Sequence, residues 1–370
     1  MSKQERTKNL SIHDVAAQAG VSIATVSRVI NGKDRVAAET RHRVEEAMRK
    51  LDFRPNRQAR ALGLRKTNTI GLVLPDLLGE FYSELMHGVD TAARDSHMNL
   101  MVIRAVGPEE EEAVCEEFLG SGAVDGLIFM ISQLDDRAVH ELARYKHSLL
   151  VIDRDLGDLG IDNVLVDNRS GGYEATMHLI EESRAKHLLF LGGPEENVDT
   201  RDRYLGFRDA VRRTGFSLGE EHFYRTDYSY ENTFKLCEGK IIRRMAATKG
   251  RWGVVAANDD VARGMIDAAL DENLGVPDRV AVVGYDDTRL ARLARPQLTS
   301  MRIPLRELGR TALCLLRDRI NGVRLEPSTI IFKGRLIKRR SSVPELPAFV
   351  KPGETSEKEQ EYAASEVQKA

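Results

Sequence analysis

The chain is poor in the features that anchor a protein outside its own core. It has three cysteines in 370 residues, Cys115, Cys237 and Cys314, an odd number without CxxC spacing. That excludes a disulfide framework or a thiolate zinc site, and free buried thiols in a reducing cytoplasm are expected. No apolar run approaches the roughly 18 residues of a membrane span, so no membrane partner is expected. The opening segment MSKQERTKNLSIHDV carries charge but no apolar stretch or cleavage site, and nothing marks it for secretion. Among nine scattered histidines there is no HExxH. GxGxxG after a strand, GxxxxGK[ST] and GxSxG are also missing, so no cofactor, metal or catalytic role is expected.

Composition is otherwise that of a globular protein, 42% hydrophobic and 30% charged, and the length implies two or three domains. The net charge of −2 is unevenly spread. Residues 1–66 hold 15 Lys and Arg against 7 Asp and Glu, a balance of +8 that leaves −10 for the remainder. A basic head on an acidic body points to a polyanionic partner.

In the head, Ser11 to Asp14 fits a loose capping pattern, and Ile12, Val15, Ala16 and Ala19 recur at helical spacing over about 11–19. Gly20-Val21 makes a tight turn and Ser22 is a good N-cap for a second helix whose inner face is Val26, Val29 and Ile30. A third helix, about 38–51, turns Val44, Ala47, Met48 and Leu51 inward, with Arg41, Arg43, Arg49 and Lys50 elsewhere. Three such helices form an all-α helix-turn-helix domain, residues 1–54.

The outer face of the second helix carries Ser22, Ile23, Ala24, Thr25, Ser27, Arg28 and Asn31, short side chains around one arginine. A helix entering a DNA major groove needs that close approach. Arg28 can present its fork to guanine O6 and N7, and Ile23 and Ala24 can meet thymine methyls. The hydroxyls of Ser22, Thr25 and Ser27 and the Asn31 amide have the length to reach phosphates. Double-stranded DNA is the expected partner.

From Thr69 onward, strand patterns (IGLVLP, NLMVIR, DGLIFMI, SLLVID, HLLFLGG, WGVVAA, RVAVVG) alternate with amphipathic segments, the signature of parallel α/β architecture. Such sheets bind ligands at the carboxyl ends of their strands, where Pro75-Asp76, Asp153, Gly192-Gly193, Asn258-Asp259 and Tyr285-Asp286 stand.

The stretches DVAAQAGVSIATVSRVING, TRHRVEEAMRKLDFRPNRQARAL, TNTIGLVLPD, AANDDVARG and VVGYDD together make the chain resemble the lac repressor and galactose repressor family of bacterial transcription regulators, over about residues 10–340. The resemblance implies a hinge helix within residues 55–68, with Asn56 and Ala59 on DNA and Leu62 wedged into a minor-groove step, where an apolar side chain kinks a flexible duplex. It also implies a periplasmic-binding-protein-like α/β domain of two lobes joined by three crossovers. The first lobe is expected at about 69–167 with 297–325, and the second at 168–296 with 326–340. A small effector would sit between them, touching Phe81, Tyr82, Asp153, Arg203, Tyr228 and Asp259. Asp286, in GYDD, reads mainly as structural. Converging carboxylates and an arginine suit the paired hydroxyls of a sugar or the edge of a nucleobase.

Two departures stand out. Ala37 replaces the serine common before helix three, and Ile303 replaces a common glutamine, which removes a polar contact. The tail, 341–370, is polar and acidic from Lys351 onward and lacks leucine there, so disorder is expected and leucine heptads for a tetramer are missing. A homodimer matching a pseudo-palindromic operator is expected instead. The rival reading is a solute-binding protein of the same two-lobed shape, against which the basic head counts. If Leu62 is the wedge, Leu62→Ala should lower operator affinity and reduce the DNA bend with little change in melting temperature, and a permuted-site mobility assay showing the same bend would exclude that role.

Overall fold

The computed structural model describes residues 10–30, 36–53, 66–130, 141–216, 219 and 222–343. Asn31, the hinge positions Asn56, Ala59 and Leu62, and residues 344–370 of the expected tail lie outside the described residues; Ser341 and Ser342, also expected in the tail, are instead fully buried.

The head contains α1 (Ile12–Ala19), α2 (Ile23–Ile30) and α3 (Ala38–Lys50). At the start of α1 the Asp14 carboxylate accepts from the Ser11 N–H and hydroxyl, both at 2.8 Å, as the capping pattern predicts. Gly20 has φ 60° and donates its N–H to the Ala16 and Ala17 carbonyls, a left-handed turn that a Cβ would strain. Val15, Val26 and Val44, one from each helix, are fully buried at the centre of a small core. Arg43 reaches across to the Ala19 and Gly20 carbonyls at 3.0 and 3.3 Å, satisfying the end of α1. Ala37 stands at the N-cap of α3 without a side-chain bond, as its sequence implies.

The body runs β1 (Thr69–Leu74), α4 (Glu80–Asp95), β2 (Asn99–Arg104), α5 (Pro108–Cys115), β3 (Gly126–Met130), β4 (Leu149–Ile152) and β5 (Asp162–Val166). It continues α6 (Asn168–Glu181), β6 (His187–Gly192), α7 (Val198–Thr214), β7 (Phe223–Arg225), α8 (Tyr230–Leu236), α9 (Ile242–Ala247), β8 (Trp252–Ala256), α10 (Asp259–Asp271), β9 (Val280–Asp286) and α11 (Arg289–Leu293). It ends β10 (Thr299–Arg302), α12 (Leu305–Ile320), β11 (Thr329–Phe332) and β12 (Arg335–Ile337). The strands make two six-stranded sheets, ordered β11-β5-β4-β3-β1-β2 and β12-β10-β9-β8-β6-β7. Neighbours are parallel, except that β12 runs antiparallel to β10. Central strands such as β3, β8 and β9 are buried throughout, because helices cover both faces of a parallel sheet.

Three crossovers join the lobes, but two fall later than the sequence placed them. β10 pairs with β9 in the second sheet and β11 with β5 in the first. The chain therefore crosses near residues 167, 303–304 and 333–334, not near 297 and 326. β10 and β11 are four-residue strands whose sheet membership is decided by their partners. Ile303, at the second crossover, is buried in an apolar cluster with Tyr285, Met301 and Leu305, so its lack of a polar end costs nothing there.

Each lobe is held by a helix pair that crosses through two glycines. A Cβ on Gly88 of α4 would lie 2.1 Å from the Arg306 carbonyl oxygen, and one on Gly309 of α12 would lie 2.4 Å from that of Leu85. In the second lobe, a Cβ on Gly172 of α6 would meet the Arg203 carbonyl at 2.1 Å, and one on Gly206 of α7 the Arg169 carbonyl at 2.0 Å. Backbone oxygens cannot swing aside as side chains do. Gly206→Ala should therefore cost about 1–3 kcal/mol and lower the melting temperature. Gly239→Ala, where nothing lies within 4 Å of the added Cβ, serves as the control and should not destabilise. Equal melting points for both variants would remove the close-crossing argument.

Candidate DNA-reading helix and interlobe cleft

Ser22, just before α2, and Ile23, Ala24 and Arg28 on it are exposed while Val26 and Val29 are buried. Thr25 and Ser27 are half-buried. The Ser22 hydroxyl accepts the Thr25 N–H at 3.2 Å and lies 2.9 Å from the Thr25 hydroxyl. That tie fixes the helix start and holds the two hydroxyls together on the outer face. Ile23, 41% exposed, leaves a branched apolar side chain in the open at the N-terminal end that enters a groove.

Between the lobes, Pro75, Tyr82, Met130 and Asp153 of the first face Asn197, Val198 and Asp199 of the second around a cavity. Asp153 follows β4 and Asp286 ends β9, so both sit at carboxyl strand ends. Asp153, Tyr228 and Asp286 have φ of 69°, 68° and 94°. Left-handed backbone at residues with a Cβ costs on the order of 1–3 kcal/mol each and gathers at functional sites.

Arg203 organises the second-lobe side. It is 5% exposed. Its Nε donates to Asn168 Oδ1 at 2.8 Å and its Nη1 to the Ala257 carbonyl at 2.5 Å. Nη2 lies 3.7 Å from Asp199 and 4.0 Å from Asp286, and the guanidinium lies over the Tyr285 ring at 3.8 Å. Asn168 in turn donates to Asp199 at 2.7 Å. The Tyr228 hydroxyl donates to Asn197 Oδ1 at 2.7 Å and lies 2.6 Å from the Thr200 hydroxyl. Asn197 also caps α7 by accepting from the Thr200 N–H.

Burial drives the titration of this group upward. The Asp153 carboxyl is raised well above its usual range by burial and by Asp199, with Arg203 opposing. Asp199 is raised by burial against the pull of Arg203. Asp286 is pushed up to about 6, again by burial first, with Arg203 opposing. The Tyr82 and Tyr228 hydroxyls are raised mainly by burial.

The structure thus brings Tyr82, Asp153, Arg203 and Tyr228 together, and adds residues the sequence reading missed. Asp286 joins the cluster instead of serving only its loop. Asn197, Asp199 and Asn168 went unnamed, although an N-cap asparagine followed by Asp199 and Arg203 at helical i,i+4 spacing was a readable signal. Phe81 packs edge-on to Tyr82 at 5.2 Å and against the apolar crossover cluster. Asp259, expected to touch the effector, is turned inward. It is 1% exposed, one oxygen accepts from the Thr288 N–H and hydroxyl at 2.7 and 2.8 Å, and the other accepts from the Ser300 hydroxyl at 2.6 Å. The cap of α10 is Asn258, which accepts the Val261 N–H at 2.8 Å.

The pattern matches known proteins at both ends. The model of bacterial regulatory proteins of the lacI family matches residues 11–56, and that of the periplasmic binding protein-like domain residues 176–342. The HTH-type transcriptional regulator RegA of Clostridium saccharobutylicum is 33% identical over 334 residues, 90% of this chain and 99% of its own. The chain belongs to the lacI family of bacterial regulatory proteins. Another lacI-type relative, catabolite control protein A of Priestia megaterium, is 30% identical over 90% of this chain and 99% of its own. The lac repressor dimer bound to operator and the anti-inducer ONPF superposes with a TM-score of 0.79 at 26% identity, covering 91% of this chain and 100% of that one. The complex of the transcriptional regulator CelR with cellobiose gives 0.67 at 29% identity, over 90% and 99%. This lacI-family chain is accordingly a DNA-binding transcriptional regulator. Among the described residues no helix is long and apolar enough to cross a membrane.

Because burial raises the Asp286 carboxyl, the folded protein holds that proton more tightly than the unfolded chain. Its contribution to stability is complete below the unfolded value and is lost as pH rises through about 6. Asp286→Asn should therefore gain melting temperature relative to wild type between about pH 4 and 6.5, then hold a constant difference. Melting curves whose difference stays flat across that range would exclude a buried charge at this position.

Proposed function

We propose that this chain acts as a cytoplasmic, homodimeric repressor that reads a pseudo-palindromic operator with α2 and the hinge segment, and that a sugar held between the lobes changes its operator affinity. Ser22, Ile23, Ala24, Thr25, Ser27, Arg28 and Asn31, with Asn56, Ala59 and Leu62, are the DNA-facing residues of this reading. The observation that carries it is the meeting of Asp153 from one lobe with Asp199, Arg203 and Asp286 from the other. Carboxylates of that kind accept from the adjacent hydroxyls of a sugar through charge-assisted bonds, and a ligand touching both lobes favours one closure over another. A near-complete switch needs about 5.5 kcal/mol of differential affinity, within reach of several such bonds. In this account Asp259 positions the Asp286 loop through Thr288 and Ser300, and Phe81 backs Tyr82.

The path from lobe to DNA is supported by Asp125, whose carboxylate accepts from the Thr67 N–H and hydroxyl at 2.6 and 2.9 Å and from the Asn68 N–H at 2.8 Å. The segment after the hinge is thereby tied to the first lobe. Met101 and Val102 on the edge strand β2, with Val106 beyond it, are exposed, an apolar edge suited to a second copy. The Ser342 hydroxyl, 2.7 Å from His178 Nε2, is fully buried and out of reach of a substrate, which fits a non-enzymatic role.

The experiment is a mobility shift on selected genomic fragments and on random DNA. Arg28→Ala should weaken specific binding by about 1–3 kcal/mol and relax the preference at one guanine per half-site, with little change on random DNA. Equal losses on both would exclude base reading by Arg28. A wild-type chain that binds both DNAs equally would overturn the regulator mechanism.

A further inference from the structure

The cleft has a charge imbalance that a sugar effector alone does not explain. Asp153, Asp199 and Asp286 converge, and among the described residues Arg203 is the cation that acts on all three. That guanidinium is already committed to Asn168, the Ala257 carbonyl and the Tyr285 ring. Asp199 accepts a hydrogen bond from Asn168 at 2.7 Å, and its other oxygen lies 3.7 Å from Arg203. Asp286 does not. Its Oδ1 is buried without a hydrogen-bond donor, 4.0 Å from Arg203, in a residue only 8% exposed. Asp153 faces the cavity from the opposite lobe. Tyr82, which also lines it, feels Asp76, Asp153, Asp286 and Asp199 together.

A buried acceptor without a donor is costly, and the cleft holds two carboxylates beyond what its arginine balances. We propose, building on the sugar-effector reading, that the cleft selects its ligand by charge: it takes an unphosphorylated, donor-rich sugar and rejects the phosphorylated or carboxylated form of the same sugar. A hydroxyl or ammonium group can donate to Asp286 Oδ1 and to Asp153. A phosphate brings only acceptors and negative charge to a place already crowded with both, and the Nη2 edge of Arg203, which could receive it, already faces Asp199 and Asp286 at 3.7 and 4.0 Å. Of the titratable groups, Tyr82 on α4, Asp153 after β4 and Asp199 on α7 line the cavity; Arg203 on α7 and Asp286 at the end of β9 act on Asp153, Asp76 after β1 acts on Tyr82, Asp260 on α10 acts on Asp286, and Tyr228 before α8 lies in the same field.

The test is calorimetric titration of the full chain with matched sets: D-glucose, D-glucosamine and D-glucose 6-phosphate; D-ribose and D-ribose 5-phosphate; cellobiose and cellobionate. In every set with a binding member, the anionic form should bind at least tenfold more weakly than the neutral one, and glucosamine at least as tightly as glucose. Asp286→Asn should narrow the gap between neutral and anionic members, and Asp153→Asn provides the same measurement should the first variant fail to fold. An anionic sugar that binds as tightly as its neutral partner overturns charge selection. If that binding is lost in Arg203→Ala, the cleft still stands as the effector site. A panel with no binding member overturns both the charge selection and the sugar reading.

Discussion

The second lobe is arranged around one buried guanidinium. Moving Arg203 out of water is costly unless its charge and donors are answered, and the answers come from four separate parts of the chain. Asn168 opens α6, Asp199 lies in the same helix as the arginine, Ala257 follows β8, and Tyr285 and Asp286 end β9. Each of these elements must hold its place for the arginine to remain buried. The close crossing of α6 and α7 through Gly172 and Gly206 sets the height of Arg203 above the sheet, because the Gly172 contact is with the backbone carbonyl of Arg203 itself.

That constraint leaves a lopsided electrostatic field at the lobe boundary. The guanidinium spends Nε and Nη1 on Asn168 and the Ala257 carbonyl and turns Nη2 toward Asp199 and Asp286, while carboxylates remain on both sides of the cleft. Opening the cleft would return Asp153 to water, and closing it gathers like charges in a drier place. A ligand with donors changes that balance in favour of closure, and the left-handed backbone at Asp153, Tyr228 and Asp286 holds the acceptors ready before it arrives. The bond from Arg289 N–H to Glu80 at 2.6 Å joins the lobes at the start of α11 and α4, so the lobes also meet outside the carboxylate cluster.

A second polar assembly secures the end of the described chain. The Ser342 hydroxyl bonds both His178 and Thr299 in the interior, Ser341 donates to the Val282 carbonyl, and Glu182 bridges His178 to Lys338. These contacts bind residues 338–342 to the second sheet after the third crossover.

Much of this was legible in the residue order. The helix-turn-helix unit follows from local spacing: Ser22 as a cap, Gly20 in a left-handed turn, Val26 and Val29 on one face and Arg28 on the other. The central strands follow from unbroken apolar runs, since burial on both faces demands them. Tertiary structure alone decided the rest. β5, β7, β10, β11 and β12 were not foreseen; β7, β10, β11 and β12 are only three or four residues long, and so short a strand is defined by the neighbour it pairs with rather than by its own pattern. For the same reason two crossovers were placed too early. Asp259 and Asp286 both read as carboxylates at the ends of strands. Only packing showed that Thr288 and Ser300 consume the first while Oδ1 of the second is left without a donor, because hydrogen-bond satisfaction belongs to the partners a fold supplies and not to the residue that needs them.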